Sequence, residues 1–226
     1  MASDRKIALT FDTLGLTPAL LRAVGDMGLY APTPIQAEAI PAALKLADVW
    51  ATAPTGSGKT LAFALPLLQH LLAAPRQTNF RRPVRVLVLV PTRELAVQVG
   101  DVLANLAYKL PQSLKVNTVF GGVSVNPQMM ALRGGADIVV GTPGRLLDLW
   151  RRKSLKLDQT RIAVLDEAVG DDYRVFGKVR IADVVQTARA GETLRYRCDR
   201  PHSVRCTGKE PGRATMVCIL KAAVME

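Results

Sequence analysis

Ala53-Pro54-Thr55-Gly56-Ser57-Gly58-Lys59-Thr60 brings together the residue types that hold phosphate. Glycines at 56 and 58 allow a turn tight enough for several backbone N–H groups to point inward, and a helix starting at the end of the loop adds the positive end of its dipole. Lys59 would place a charge on β- and γ-phosphates, and the Thr60 hydroxyl would ligate Mg2+. A triphosphate site also needs a carboxylate for the metal and a second one for the attacking water. Ile162-Ala163-Val164-Leu165-Asp166-Glu167 supplies both at the end of an apolar run. Asp166 would hold Mg2+, while Glu167 would orient or deprotonate water for attack on the γ-phosphate. Together these two segments point to a nucleoside triphosphatase, with Lys59 and Glu167 as its catalytic pair.

For that chemistry to work, the loop must follow one buried strand and the acidic pair another. From about residue 45 the chain alternates short apolar runs with helical stretches, the pattern of a parallel sheet covered by helices. The spacing predicts strands over 49–52, 84–90, 115–120, 137–140 and 161–165. Val84 to Val90 is β-branched and nearly continuous, as expected of a strand buried on both faces. Helices are predicted over 18–28, 34–46, 60–72, 93–109 and 144–152. Residues 74–83, with two prolines and three arginines, read as an exposed loop.

The chain has 226 residues, 49% of them apolar and 22% charged, which excludes a disordered or collagen-like chain. No run approaches the ~18 apolar residues of a membrane-spanning helix, and the amino terminus lacks the apolar stretch of a signal peptide. A cytoplasmic location and no membrane partner are therefore expected. The net charge of +11 suits a polyanion such as nucleic acid. Residues 168–226 hold 11 basic and 7 acidic side chains, so the excess is spread along the chain rather than gathered in a tail. Cys198, Cys206 and Cys218 are odd in number and late in the chain, which argues against a disulfide framework. Cys198 and Cys206 bracket His202, but no fourth ligand lies near, so the thiols are expected to coordinate nothing.

Around these motifs the sequence closely resembles the amino-terminal RecA-like domain of DEAD-box ATP-dependent RNA helicases, over about residues 8–168. Phe11, Gly28 and Pro32-Thr33-Pro34-Ile35-Gln36 resemble that family's Q motif. By that resemblance the Gln36 amide would read the adenine edge and favour ATP over GTP. The aromatic that often follows the glycine is Leu29 here, then Tyr30, so Phe11 and Tyr30 are the aromatic candidates for the ATP site. Pro91-Thr92-Arg93-Glu94-Leu95-Ala96 is similar to motif Ia, Gly121-Gly122 to the GG element, and Thr142-Pro143-Gly144-Arg145 to motif Ib. The resemblance implies that Pro91, Thr92, Arg93, Gly121, Gly122, Thr142, Pro143, Gly144 and Arg145 hold the backbone of an RNA strand with little base specificity. It also implies ATP and Mg2+ as cofactors, and ribosome-assembly or RNA-decay factors as partners besides RNA. The stretch from Gly121 through Met130, with Leu146-Leu147-Asp148-Leu149, looks most like the bacterial RhlE-type subgroup. Met129 and Met130 read as core packing.

The likeness breaks inside motif II. Asp166-Glu167-Ala168 is followed by Val169 rather than a second aspartate, and no Ser-Ala-Thr triplet comes after it. Residues 1–168 are thus expected to form an α/β RecA-like P-loop domain, a mostly parallel sheet with helices on both faces. Residues 169–226 are expected to be an atypical tail, with the second RecA-like domain absent. The tail is either unselected sequence from a truncated or frameshifted gene or a segment with its own role. The first case makes the chain an inactive product, at most a weak nucleotide- and RNA-binding module. In the family a strand after motif II lies between the phosphate-loop strand and the motif II strand. Residues 215–220 are the best candidate for that slot here, and residues 179–185 a weaker one.

Overall fold

The computed structural model describes residues 9–46, 49–51, 53–74, 81–166, 193–194 and 220–221. A short 3-10 turn, Phe11–Leu14, precedes α1 (Pro18–Gly25) and α2 (Pro34–Leu44). Then follow β1 (Trp50–Ala51), α3 (Lys59–Ala73), β2 (Val86–Leu89), α4 (Arg93–Tyr108), β3 (Val116–Val119) and α5 (Asn126–Leu132). The order ends with β4 (Ile138–Gly141), α6 (Pro143–Arg151), β5 (Ile162–Leu165), β6 (Thr193–Leu194) and β7 (Leu220–Lys221). In the main sheet the strands lie in the order β3-β4-β2-β5-β7, and the first four are mutually parallel. The predicted RecA-like α/β architecture is present.

Alternation along the central strands sorts the helices into two layers. Val86, Val88 and Val90 face one core with Ile138, Val140, Ile162 and Val164, and there they meet the buried residues of α1 to α4. Leu87, Leu89 and Val139 face the other way, onto Leu132 of α5, Leu146 and Leu149 of α6, and the buried Leu155 and Leu157. A strand covered on both faces has no polar face to offer, which is why β2 reads as an unbroken apolar run.

At the amino-terminal edge of the sheet, Asp137 is fastened just before β4. Its carboxylate accepts from Arg82 (2.7 Å), Arg85 (2.6 Å) and the Lys115 backbone N–H (2.8 Å). Burial works against the charged form, but the Lys115 N–H and the two guanidiniums outweigh it and hold the carboxyl below its usual range. The arginines predicted to lie in an exposed loop at 81 and 82 are therefore structural; Arg81 also donates to the Ser154 and Leu132 carbonyls.

Two expectations need correction, and the spacing carries no sign of α5, whose seven residues have a proline at the second position. Met130 is 63% exposed and packs in no core, whereas Met129 is half-buried against the second cluster. The slot beside β5 is filled only partly as expected: Leu220, the last residue of the 215–220 candidate, and Lys221 pair antiparallel with Ala163 and Ile162, but β1 pairs with β6 instead. No strand thus joins β1 to β5 among the described residues. Residues 179–185, 215–219 and the three cysteines with His202 lie outside the described residues.

Candidate nucleotide and nucleic-acid site

Between β1 and α3 the chain turns through Gly56 and Gly58, whose φ values of +81° and +88° lie in the left-handed region. A β-carbon at Gly58 would also collide with the Gln36 amide. Gly58 caps α3 with no side chain, and the first intrahelical bond runs from the Ala62 N–H to its carbonyl (3.2 Å). The N–H groups of residues 59–61 precede that bond and form the electropositive end of α3. Thr55 and Gly56 are exposed, Ser57 and Thr60 half-buried. The Ser57 hydroxyl is buried without a hydrogen-bond partner. Lys59 is buried, and its ammonium turns back into the loop, donating to the carbonyls of Ala53 (2.6 Å) and Pro54 (3.1 Å).

Gln36 ties the start of α2 to this loop. Its Oε1 accepts from the Thr33 N–H (3.0 Å), capping α2, and its Nε2 donates to the Gly58 carbonyl (3.1 Å). The side chain is only 3% exposed. Phe11 lies in the core beneath α2 rather than at the surface, and Tyr30 is 80% exposed on the segment entering α2.

Because β2 to β5 are parallel, the segments after them emerge on one edge. Pro91, Thr92 and Arg93 follow β2 and are exposed; Gly121 and Gly122 follow β3; Thr142 to Arg145 follow β4; and Asp166 follows β5. Asp166 is buried, and its N–H donates to the Leu89 carbonyl (2.9 Å). Glu167 lies outside the described residues. The Thr92 hydroxyl accepts from the Leu95 N–H (3.2 Å) and caps α4. These segments also touch one another. The Arg145 guanidinium donates to the Val123 carbonyl (2.6 Å), and that of Arg93 lies 4.9 Å from the centre of the Phe120 ring. Gln128 holds Phe120 by both backbone groups. Phe120 carries no motif of its own, and Gln128 lies in the stretch that resembles the RhlE-type subgroup without a role being read for it. The one signal was an amide and an aromatic flanking a glycine pair.

The family model described as DEAD/DEAH box helicase matches residues 33–184. The chain belongs to the DEAD/DEAH box helicase family. The match runs past Ala168 and takes in the altered motif II. An "ATP-dependent RNA helicase DeaD" of Haemophilus influenzae is 46% identical over 71% of this chain and 25% of its own length. The Escherichia coli protein of that name is 42% identical over 87% of this chain and 30% of its own length. A "DEAD-box ATP-dependent RNA helicase 28" of Arabidopsis thaliana is 48% identical over 70% of this chain and 20% of its own length. The crystal structure of a DEAD box protein from Methanococcus jannaschii superposes with a TM-score of 0.60 at 38% identity, covering 70% of this chain and 41% of that one. The chain therefore spans a fifth to three tenths of the length of these curated relatives. None of them bears on the RhlE-type subgroup. Among the described residues no helix is long and apolar enough to cross a membrane, and no cluster of His, Cys, Asp or Glu could hold a metal by itself.

Proposed function

We propose that the chain is the ATP- and RNA-binding amino-terminal half of an ATP-dependent RNA helicase. Residues 1–168 are its first RecA-like domain, and residues 169–226 are a divergent tail. The observation that carries this is the hydrogen bond from Gln36 to the Gly58 carbonyl, which joins a candidate base-reading side chain to a candidate phosphate-binding loop.

The residues present suit ATP and Mg2+. Gly56 and Gly58 give the loop its inward turn, and the buried Ser57 hydroxyl has a hydrogen bond still to make. Lys59 would exchange the loop carbonyls for phosphate oxygens, and Thr60 with Asp166 would hold the metal. Mg2+, when bound, neutralises charge on the phosphate oxygens. Gln36 can read the base because a primary amide has two donors and two lone pairs, and the Thr33 N–H and Gly58 carbonyl occupy one of each. The remaining N–H and lone pair complement adenine, with its N7 acceptor and amino donor, and oppose the O6 of guanine. Tyr30 is the exposed aromatic available to cover the base; the burial of Phe11 fits support of α2 from below. Glu167 would take the proton of the attacking water at its carboxylate.

Pro91 to Arg93, Gly121-Gly122 and Thr142 to Arg145 would hold the sugar-phosphate backbone of one RNA strand. Duplex unwinding requires completion by a second RecA-like domain, whose arginine commonly stabilises the transition state by ~10³- to 10⁵-fold in rate. The family resemblance further suggests a cytoplasmic protein working beside ribosome-assembly or RNA-decay factors. Val169 at the place of the second aspartate of motif II favours a second reading: a truncated or frameshifted product that binds nucleotide and RNA weakly and turns nothing over. Phosphate release from ATP with and without single-stranded RNA, against a Lys59→Ala control, separates the two. RNA-stimulated release that the control lacks supports the helicase half; binding without release supports the second reading.

A further inference from the structure

Arg93 is the first residue of α4, where a cation meets the positive end of the helix dipole. It is exposed and lies over the face of Phe120, its guanidinium carbon 4.9 Å from the ring centre. Phe120 ends the β3 segment, leads into Gly121 and packs half-buried against the first core, so its ring rests on that core while its backbone is held by Gln128. Its Oε1 accepts from the Phe120 N–H (3.2 Å) and its Nε2 donates to the Phe120 carbonyl (3.1 Å), satisfying both backbone groups of one residue with one amide.

We infer that Gln128 is a positioning residue for RNA binding: by clasping the Phe120 backbone it keeps the ring beneath Arg93 and aims that guanidinium at the strand. This rests on the reading of Arg93 as an RNA contact. Gln128 sits on α5, clear of all the motif residues, and acts only through Phe120. The Phe120 ring and the Gln128 amide together make the loop after β3 a support for the loop after β2. A cation–π contact at an exposed site corresponds to about a two- to fivefold effect on affinity.

The test uses the full chain and a labelled single-stranded RNA of mixed sequence, with affinity measured alone and in double-mutant combination. Gln128→Ala and Phe120→Leu should each weaken RNA binding about two- to fivefold, while ATP-analogue affinity stays unchanged. Phe120→Tyr, which keeps the ring, should bind as the parent does. In an Arg93→Gln background the Gln128→Ala change should have no further effect, because the group it positions is gone. Full additivity of the two changes, or loss of ATP-analogue binding in step with RNA binding, overturns the inference, since either marks a general packing role. Where Gln128→Ala does not fold, Phe120→Leu against Phe120→Tyr decides alone: equal affinities overturn it. If Arg93→Gln itself leaves RNA binding intact, the assignment of that loop to RNA fails first.

Discussion

Removing the Gln36 side chain should damage stability and base choice together, by amounts that can be worked out separately. In Gln36→Ala the Thr33 N–H loses its cap acceptor (3.0 Å), typically worth about 1 kcal/mol. The Gly58 carbonyl loses one of two donors but keeps the Ala62 N–H, so that bond contributes at the low end of about 0.5–1.5 kcal/mol. A total of about 1.5 kcal/mol corresponds to a Tm lower by roughly 3–6 °C for a chain of this size. The free half of the amide reads adenine as a bidentate contact does, worth about 1–3 kcal/mol of discrimination, or roughly 5- to 150-fold between ATP and GTP. Gln36→Glu keeps an acceptor for Thr33 but has no donor for Gly58 or for N7. It should therefore lose base choice with less loss of the cap. Competition of ATP and GTP against a fluorescent nucleotide, alongside thermal unfolding without nucleotide, reads both quantities. An alanine variant with lowered Tm but its full preference for ATP would refute the base-reading role and leave Gln36 as a helix cap.

Lys59→Ala should abolish binding of a fluorescent ATP analogue; because Lys59 is buried and ties the loop to itself, some loss of Tm is expected, and retained affinity would sink the phosphate-loop assignment. RNA binding by the chain should be insensitive to sequence and fall with salt, with a log–log slope near −1.4 if Arg93 and Arg145 each neutralise about one phosphate of a single strand; tight, sequence-selective binding contradicts this. Asp137 has its carboxyl held below the usual range, so the stability it contributes is present above about pH 4 and lost as pH falls through the lowered folded value. At neutral pH Asp137→Asn should cost about 2–4 kcal/mol, somewhat less than a fully buried pair because Arg82 is 36% exposed; an unchanged midpoint in urea would show that the triad contributes nothing.

The sheet was legible because its strands are buried on both faces, and such strands announce themselves as apolar runs between glycine- and proline-bearing turns. Four of the five predicted strands were found in the parallel sheet within one or two residues of their expected ends, β4 running one residue past, whereas Trp50–Ala51 pairs with β6 instead. The loops at 53–60, 91–93, 121–122 and 142–145 could be read because a strand-to-helix turn needs residue types that stand out. What the sequence hid were contacts between residues far apart in the chain. Nothing local marks Arg82, Arg85 and Asp137 as partners, since an arginine beside prolines reads as solvent-facing until the carboxylate facing it is known. The burial of Phe11 was equally hidden, because one aromatic before a short turn serves a core or a ligand with the same letters. Leu220 and Lys221 on β5 follow another rule: an edge with free backbone groups takes a strand of either direction, and side-chain pattern does not report direction.

The arrangement of cations at the carboxyl edge gives a physical reason for an anionic partner that does not depend on any motif. A parallel sheet sends every following helix off the same edge, so α4 and α6, which follow β2 and β4, begin there and turn the positive ends of their dipoles toward one region. Each also carries a cation in its first turn: Arg93 and Arg145. Glu94 is the one acidic residue in those two turns. A cation at that position opposes the dipole, by about 0.3–1 kcal/mol in exposed sites. For both of these the described structure offsets this with a neutral partner: the Phe120 ring for Arg93 and the Val123 carbonyl for Arg145. Such partners hold the cations without cancelling their charge. A phosphate chain laid across this edge would meet two positive helix ends and two positioned cations, and the self-repulsion borne by the free chain becomes attraction once the polyanion is bound.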